Sequence, residues 1–284
     1  MLKYLSLRHL ALSGWQPMPS AADHKSSTIN KRLLIGDSGV GKTTALLALV
    51  EAGYKLRIYD FDNLLDPLIA QARRKCPDKL DAIQYMSFRD KMKATPVGPI
   101  IDGQPQAFVE SLKAFDKWED GTKPSEWGAD HVLVIDSFTT LSRAAYFWAR
   151  GLQGASGLPE GVPARGVEPR AIYHTAQQAL MNQLSYLTSD WFKTNVLVIA
   201  HIKYMEHDGV TKGFPLSVGN AISPEIPSYF ASVSLATKSG TGDSMKRVIR
   251  TRSTNMIDLK DPKAFDPAFA TELPMESGLA TLFK

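Results

Sequence analysis

The chain has 284 residues, of which 44% are hydrophobic and 22% are charged, and its formal net charge is +4. This length suits one large α/β domain or two small ones. The single cysteine, Cys76, excludes an internal disulfide and a cysteine-rich metal site. No apolar run reaches the roughly 18 residues of a membrane span, and the start of the chain lacks the apolar stretch of a signal peptide. We therefore expect a cytoplasmic protein with no membrane partner.

The sequence divides into three segments. Residues 1–28 have mixed composition and are predicted to form an N-terminal arm, residues 29–260 an α/β core, and residues 261–284 a proline-punctuated tail. In the core, buried apolar runs alternate with stretches of helical spacing. This alternation is typical of a parallel sheet between helices, which binds ligands beyond the carboxyl ends of its strands.

The predicted elements of the core follow from these patterns in chain order. Strands are expected at 31–36, 55–60, 82–86, 131–136 and 195–200, and helices at 42–52, 64–75, 106–118, 138–150 and 169–190. A C-terminal β-hairpin is expected from strands at 229–237 and 247–251. Residues 151–169 and 201–227 are rich in glycine, proline and polar residues and are predicted to be loops.

A glycine-rich motif follows the first strand. It reads Gly36-Asp37-Ser38-Gly39-Val40-Gly41-Lys42-Thr43-Thr44 and fits the pattern G-x-x-x-x-G-K-[ST] between a strand and a helix. The backbone N–H groups of such a loop and the helix N-terminus surround an anion. Lys42 is expected to reach the β- and γ-phosphates, and the Thr43 hydroxyl to ligate Mg²⁺. The motif predicts binding of a nucleoside triphosphate, with ATP and Mg²⁺ as cofactors.

Polar residues at the ends of other strands supply the remaining chemistry. Asp136 ends an unbroken apolar strand and is predicted to hold Mg²⁺, which is compatible with a second role as a helix cap. Asp60 and Asp62 lie on one face of the preceding strand end, and Asp62 is favoured as the base that activates water. His201 directly follows the last buried strand, where a polar side chain can sense the γ-phosphate.

A basic stripe lies between residues 238 and 252. It contains Lys238, Lys246, Arg247, Arg250 and Arg252 against one acid, Asp243. Such a stripe suits a polyanion, either DNA or the phosphates of a nucleotide bound to a neighbouring subunit, although a solvated strand face is the alternative.

Taken together, these motifs resemble the RecA-type recombinase core. The block from Ile58 to Pro67 looks like the strand end of that family, in which an Asp is followed two residues later by the catalytic Glu and then by Leu-Asp-Pro. Val134-Ile135-Asp136-Ser137 is similar to its Walker B strand, and Gly219-Asn220-Ala221 with Tyr229–Val233 to the end of its second DNA-binding loop. The resemblance covers about residues 30–255. It is greater still to the short RecA-like ATPases of bacteriophages that act in single-strand annealing and recombination.

This resemblance implies partners and further site residues. It implies two loops that face single-stranded DNA, with Arg165, Lys203 and Lys212 as phosphate contacts, and Arg250 or Arg252 as a basic group that reaches a neighbour's γ-phosphate. It also implies self-association into a filament or ring and a phage single-stranded-DNA-binding protein as a partner. The chain has Asp62 where the family has its catalytic Glu, and His201 where RecA has a Gln. We therefore expect slow hydrolysis and a different coupling to DNA.

Other functions remain open from the sequence. A hexameric DnaB-like helicase core shares the P-loop and the sheet but normally carries an additional N-terminal domain. A small-molecule kinase needs an arginine-rich lid, whereas residues 151–169 contain only Arg165 as an internal arginine. A nucleotide-binding scaffold with negligible turnover is compatible with an Asp in place of the catalytic Glu. The favoured function is that of an ATP-dependent, single-stranded-DNA-binding ATPase.

Overall fold

The computed structural model describes residues 28–96, 98–155, 158, 166 and 168–284. Within these residues an eight-stranded sheet runs through the molecule in the order β12-β11-β10-β1-β7-β6-β2-β3. The strands, together with those of two small hairpins, are β1 (Lys31–Gly36), β2 (Lys55–Asp60), β3 (Ile83–Ser87), β4 (Met92–Lys93), β5 (Ile100–Ile101), β6 (His131–Asp136), β7 (Asn195–Ala200), β8 (Ile202–His207), β9 (Val210–Pro215), β10 (Ser232–Ser239), β11 (Lys246–Arg250) and β12 (Glu272–Pro274).

Helices cover both faces of this sheet. They are α1 (Lys42–Ala45), α2 (Leu47–Glu51), α3 (Asp66–Lys75), α4 (Ala107–Asp116), α5 (Phe138–Leu152), α6 (Pro169–Thr188) and α7 (Gly278–Phe283). One core lies beneath α4, α5 and α6 and contains Tyr59, Phe61 and Phe138. The other lies beneath α1, α2, α3 and α7 and contains Leu49 and Val134. The predicted α/β class, with a mostly parallel sheet between helices, is therefore confirmed.

The pairing of the strands brings the polar strand ends to one edge. β10, β1, β7, β6, β2 and β3 are mutually parallel neighbours. Asp60 is in register with Asp136 on the adjacent strand. The central strands are buried on both faces, which explains why they appear in the sequence as continuous apolar runs.

The predicted C-terminal hairpin is present, with strands at 232–239 and 246–250 where 229–237 and 247–251 were expected. β10 and β11 pair antiparallel from Leu235–Arg250 to Ser239–Lys246, and β12 pairs antiparallel with β11. Residues 261–284, which the sequence presents as a tail, thus contribute a sheet strand and the buried helix α7.

The prediction that residues 201–227 form a loop is wrong for their first half. Residues 202–215 form an antiparallel hairpin, β8–β9, whose turn is Asp208-Gly209. Both turn residues have positive φ, 52° at Asp208 and 77° at Gly209, as a two-residue hairpin turn with matching twist requires. The predicted N-terminal arm (except residue 28) and most of the predicted loop 151–169 lie outside the described residues.

No helix in the described part of the chain is both long enough and apolar enough to cross a membrane.

Candidate nucleotide-binding site

The glycine-rich segment forms the turn between β1 and α1. Lys42 begins α1 and is buried, and its ammonium group donates hydrogen bonds to the carbonyl oxygens of Gly36 and Asp37, both at 2.8 Å. Burial lowers the pKa of Lys42, and the nearby carboxylates of Asp136, Asp37 and Asp62 partly offset this effect. The lysine is thus held over the loop, at the position from which it would meet the phosphates of a nucleotide.

The glycines of this turn serve different purposes. A Cβ at Gly36 would lie 2.4 Å from the carbonyl oxygen of Ala236, so this glycine allows β1 to approach β10 closely. Gly39 and Gly41 have positive φ values of 72° and 101°, which favour glycine. A Cβ at Gly39 would meet nothing within 4 Å, so the loop is open on that side. An open loop of this shape fits the phosphates of ATP.

A hydroxyl and a carboxylate face each other beside the lysine. Thr43 Oγ1 donates a hydrogen bond of 2.7 Å to Asp136 Oδ2. Burial raises the pKa of Asp136 to about 6; the carboxylates of Asp62 and Asp60 raise it further, and the Thr43 hydrogen bond lowers it. Mg²⁺ prefers oxygen ligands and is commonly bound through one carboxylate and the phosphates of its nucleotide. The pair Thr43 and Asp136 fits such an ion, which would neutralise the buried charge.

The structure separates the two acids that the sequence places together. Asp60 is buried, and its Oδ1 accepts a 2.7 Å hydrogen bond from the backbone N–H of Asn63. Asp62 Oδ1 instead accepts hydrogen bonds from the hydroxyls of Thr140 and Ser137, the latter at 3.1 Å. Asp60 therefore stabilises the turn after β2, whereas Asp62 faces the lysine side of the site.

His201 lies between the lysine and Asp62. Its Nδ1 is 3.4 Å from Lys42 Nζ, and its Nε2 is 3.9 Å from Asp62 Oδ2. Burial and the Lys42 charge lower the pKa of His201, and the carboxylates of Asp62 and Asp37 partly offset this effect. When Lys42 donates to Nδ1, the ring proton resides on Nε2 and points toward Asp62.

The candidate DNA-binding lysines lie on the β8–β9 hairpin. Lys203 Nζ donates to Asn220 Oδ1 at 2.6 Å, and Lys212 Nζ forms an ion pair with Asp258 at 2.7 Å. The third candidate, Arg165, lies outside the described residues.

The two arginines expected to act on a neighbour's nucleotide lie on and just after β11. Arg250 pairs with Glu272 on β12 at 3.0 Å, and Arg252 is exposed beyond the end of the strand. Arg250 is in register with Leu235 of β10, which is in register with Ile35 of β1, so β10 lies between Arg250 and β1.

Arg247 and Thr140 lie at the candidate site, but the sequence identified Arg247 only as part of the basic stripe and did not select Thr140. A Cβ at Gly41 would lie 3.5 Å from Arg247 Cδ, so this arginine packs against the P-loop of its own chain. Arg247 is three residues before Arg250, so strand alternation predicts that the two side chains lie on opposite faces of β11. This alternation is the sequence signal that could have identified Arg247. Thr140, which donates to Asp62, lies in the first turn of α5, and no sequence pattern indicated its role.

Comparisons with known proteins give similarity of fold only. No protein-family model and no curated protein matches the sequence. Among solved structures, the flagellar accessory protein FlaH from Methanocaldococcus jannaschii is 11% identical, with a TM-score of 0.40, over 86% of this chain and 83% of its own. A KaiC-like protein from Pyrococcus horikoshii is 14% identical, with a TM-score of 0.38, over 80% and 79%. The RadB recombinase is 15% identical, with a TM-score of 0.41, over 79% and 81%.

Proposed function

We propose that this chain is an ATP-dependent, single-stranded-DNA-binding ATPase of the RecA type, and that it acts in phage DNA recombination by single-strand annealing. One observation carries the proposal: the residue beside the P-loop lysine, His201, leads directly into the hairpin that carries Lys203 and Lys212. Nucleotide and DNA would thus contact nearby residues of one continuous segment.

The polar residues around the P-loop would have separate roles in nucleotide binding and hydrolysis. Lys42 would bind the β- and γ-phosphates, while Thr43 and Asp136 would hold Mg²⁺, which supplies charge neutralisation when bound. Asp62 would accept the proton of the attacking water, since its carboxylate is oriented by hydroxyl groups and lies 3.9 Å from the His201 ring. The Asp62 side chain is one methylene shorter than that of the Glu at this position in RecA-type proteins. This difference supports the expectation of slow turnover.

Three hydrogen bonds, two of them through the Thr139 hydroxyl, connect His201 to the hairpin and to α5. The His201 N–H donates to Thr139 Oγ1 at 3.0 Å, and that hydroxyl donates to the Leu216 carbonyl at 3.0 Å. The Leu216 N–H returns to the His201 carbonyl at 2.7 Å. Both ends of the β8–β9 hairpin are therefore tied to each other and to the start of α5. A shift of His201 on binding a γ-phosphate would move the base of the hairpin.

Two lysines supply the charge for DNA binding. Lys203 and Lys212 lie on one face of the β8–β9 hairpin, because Lys212 pairs with Met205, two residues after Lys203. Tyr204 is exposed on the opposite face. The present partners of the two lysines, Asn220 and Asp258, are exposed, so a phosphate can replace them at small cost.

The test is ATP hydrolysis with and without single-stranded DNA, with Lys42→Ala as the control for contaminating activity. Stimulation by DNA that Lys42→Ala abolishes is the expected result. Steady turnover that is indifferent to DNA would contradict the coupling and favour a kinase acting on a small acceptor. Absence of turnover together with ATP-dependent retention of DNA would favour a scaffold.

A further inference from the structure

Two like charges lie opposite each other beside the P-loop. β10 runs parallel to β1 and is in register with it up to the pair Gly36 and Ala236, but it continues to Ser239. β11 pairs antiparallel with this extension, where Lys238 is directly opposite Arg247. Because the extension passes the end of β1, the two cations lie alongside the loop that begins at Gly36.

Both side chains lie on the face of the sheet that carries the P-loop helix. Strand alternation puts Lys238 on the same face as Ala236, and Arg247 on the same face as Ile249. Ala236 and Ile249 are buried in the core beneath α1, α2, α3 and α7. The position of Arg247 agrees, since its Cδ would lie 3.5 Å from a Cβ at Gly41. Lys238 and Arg247 are both exposed on this face.

This pair of cations lacks an acidic partner among the residues whose side chains the structure describes. Glu272 on β12 instead pairs with Arg250 at 3.0 Å and with Lys246 at 3.9 Å. Glu272 is in register with Arg250, three residues from Arg247, and so belongs to the opposite face of the sheet. Like charges directly opposite each other in an antiparallel pair are destabilising. An anion bound between Lys238 and Arg247 would remove this repulsion.

We propose that Arg247, supported by Lys238, binds a phosphate of the nucleotide held by the P-loop of its own chain. The P-loop backbone surrounds the α- and β-phosphates, and Lys42 reaches the β- and γ-phosphates. Arg247 packs instead at Gly41, whose carbonyl oxygen accepts a 2.9 Å hydrogen bond from Thr44. Its guanidinium is therefore assigned to the α-phosphate, which it can bind through two parallel N–H groups.

This assignment gives the two faces of β11 different nucleotides. Arg247 would bind the nucleotide of its own chain, whereas Arg250 on the other face is the residue expected to reach that of a neighbour. Since one strand carries both arginines, a nucleotide bound at Arg247 would fix the strand from which Arg250 projects. The inference rests on the proposed binding of a nucleoside triphosphate, but not on DNA binding or hydrolysis.

The experiment measures nucleotide affinity by isothermal titration calorimetry on the full-length chain with Mg²⁺. The ligands are ADP and the non-hydrolysable analogue β,γ-imido-ATP. Arg247→Met keeps an unbranched side chain against Gly41 and removes the charge. It is expected to weaken both ligands alike by about 10- to 100-fold, because both carry an α-phosphate. Arg247→Lys should recover only part of the loss, since an ammonium group lacks the paired donors. A loss confined to the triphosphate would overturn the assignment.

The stability of the nucleotide-free protein separates a phosphate contact from damage to the fold. Arg247→Met and Lys238→Gln each remove one of two like charges, so neither should lower the midpoint of urea unfolding. Lys238→Gln should also weaken both ligands, by about 2- to 5-fold, through the loss of a nearby charge. If Arg247→Met loses affinity only together with stability, and Lys238→Gln binds normally, Arg247 has a packing role and the proposal is wrong.

The matched control is Lys246→Met, which removes an exposed cation from the adjacent position on the other face of β11. It should bind both ligands like the unmodified protein. Normal binding by Arg247→Met, or an equal loss in Lys246→Met, would overturn the inference and leave the nucleotide site intact. If the unmodified protein binds neither ligand better than Lys42→Ala does, the proposed function fails as well, so the two failures are distinguished.

Discussion

Asp62 is the residue on which the proposed hydrolysis depends most directly. Asp62→Asn keeps the size of the side chain and an oxygen that accepts from Ser137 and Thr140. We expect nucleotide affinity to stay within a few-fold and turnover to fall by about 10²- to 10⁴-fold, the usual effect of losing a general base. Binding of a fluorescent nucleotide and steady-state release of phosphate measure the two quantities.

Asp60→Asn is the matched control for that prediction. Its amide oxygen can still accept the Asn63 N–H, and Asp60 does not face His201, so turnover per folded molecule should be retained. If Asp60→Asn stops turnover and Asp62→Asn does not, the two roles are reversed. The sequence could not separate these acids, because alternation puts both on one face of the strand. β2 ends at Asp60, so strand alternation does not extend to Asp62, and the two acids contact different neighbours.

The Asp136 carboxylate is predicted to destabilise the nucleotide-free protein at pH 7 and to be required for metal binding. Burial raises its pKa from 3.8 to about 6, so its stabilising contribution is fully present below pH 3.8 and is lost as the pH rises through 6. At pH 7 the buried carboxylate then costs about 3 kcal/mol. Asp136→Asn should raise the free energy of unfolding of the nucleotide-free protein at pH 7, with no gain below pH 4, and should abolish Mg²⁺-dependent ATP binding. Urea titrations at pH 4 and pH 7 measure the first effect, and an unchanged stability at pH 7 would contradict it.

At the scale of elements, the β8–β9 hairpin was not predicted, although its turn sequence favours a hairpin. Asp208-Gly209 is among the strongest two-residue hairpin signals, and it lies between two polar strands of six residues. The polar composition of these strands hid the signal, because exposed strands lack the apolar runs that identified β6 and β7. The buried strands were predicted almost to the residue, since burial on both faces leaves a continuous apolar pattern.

The hairpin lysines give a prediction for DNA binding. The double substitution Lys203→Ala and Lys212→Ala should weaken binding to all single-stranded sequences alike. Each phosphate contact on a single strand contributes about 0.7 to the slope of log K against log salt, so the slope should decrease in magnitude by about 1.4. Fluorescence anisotropy at several salt concentrations measures this slope.

Lys55→Ala is the control, because Lys55, like Lys212, is paired with an aspartate, Asp130 at 3.1 Å, but lies at the amino end of β2. Because Lys55→Ala removes one charge and the double substitution removes two, half the change of slope in Lys55→Ala would mean that the effect comes from net charge and not from the hairpin.

At the scale of the whole molecule, the C-terminal residues complete the fold around the P-loop helix. The sequence of residues 261–284 did not predict these elements, because neither a three-residue strand nor a six-residue helix gives a clear periodic pattern. α7 buries Leu279, Leu282 and Phe283 in the same core as Leu49 of α2. The packing partners of a short element lie in distant parts of the chain, so the sequence of the element alone does not predict them.

Phe283 makes this packing testable. Its ring lies edge-on to Tyr54 at 5.9 Å, and its carbonyl accepts hydrogen bonds from Tyr54 and Asn30. Phe283→Ala keeps these hydrogen bonds but leaves a cavity beside α2, so the free energy of unfolding should fall by about 3 kcal/mol. Thr281→Ala, on the exposed side of the same helix, should change it by less than about 0.5 kcal/mol. Chemical denaturation compares the two. If both variants keep the stability of the unmodified protein, α7 is a dispensable tail. If Phe283→Ala is destabilised as expected and saturating ATP with Mg²⁺ stabilises it less than the unmodified protein, α7 supports the nucleotide-binding form of the P-loop helix.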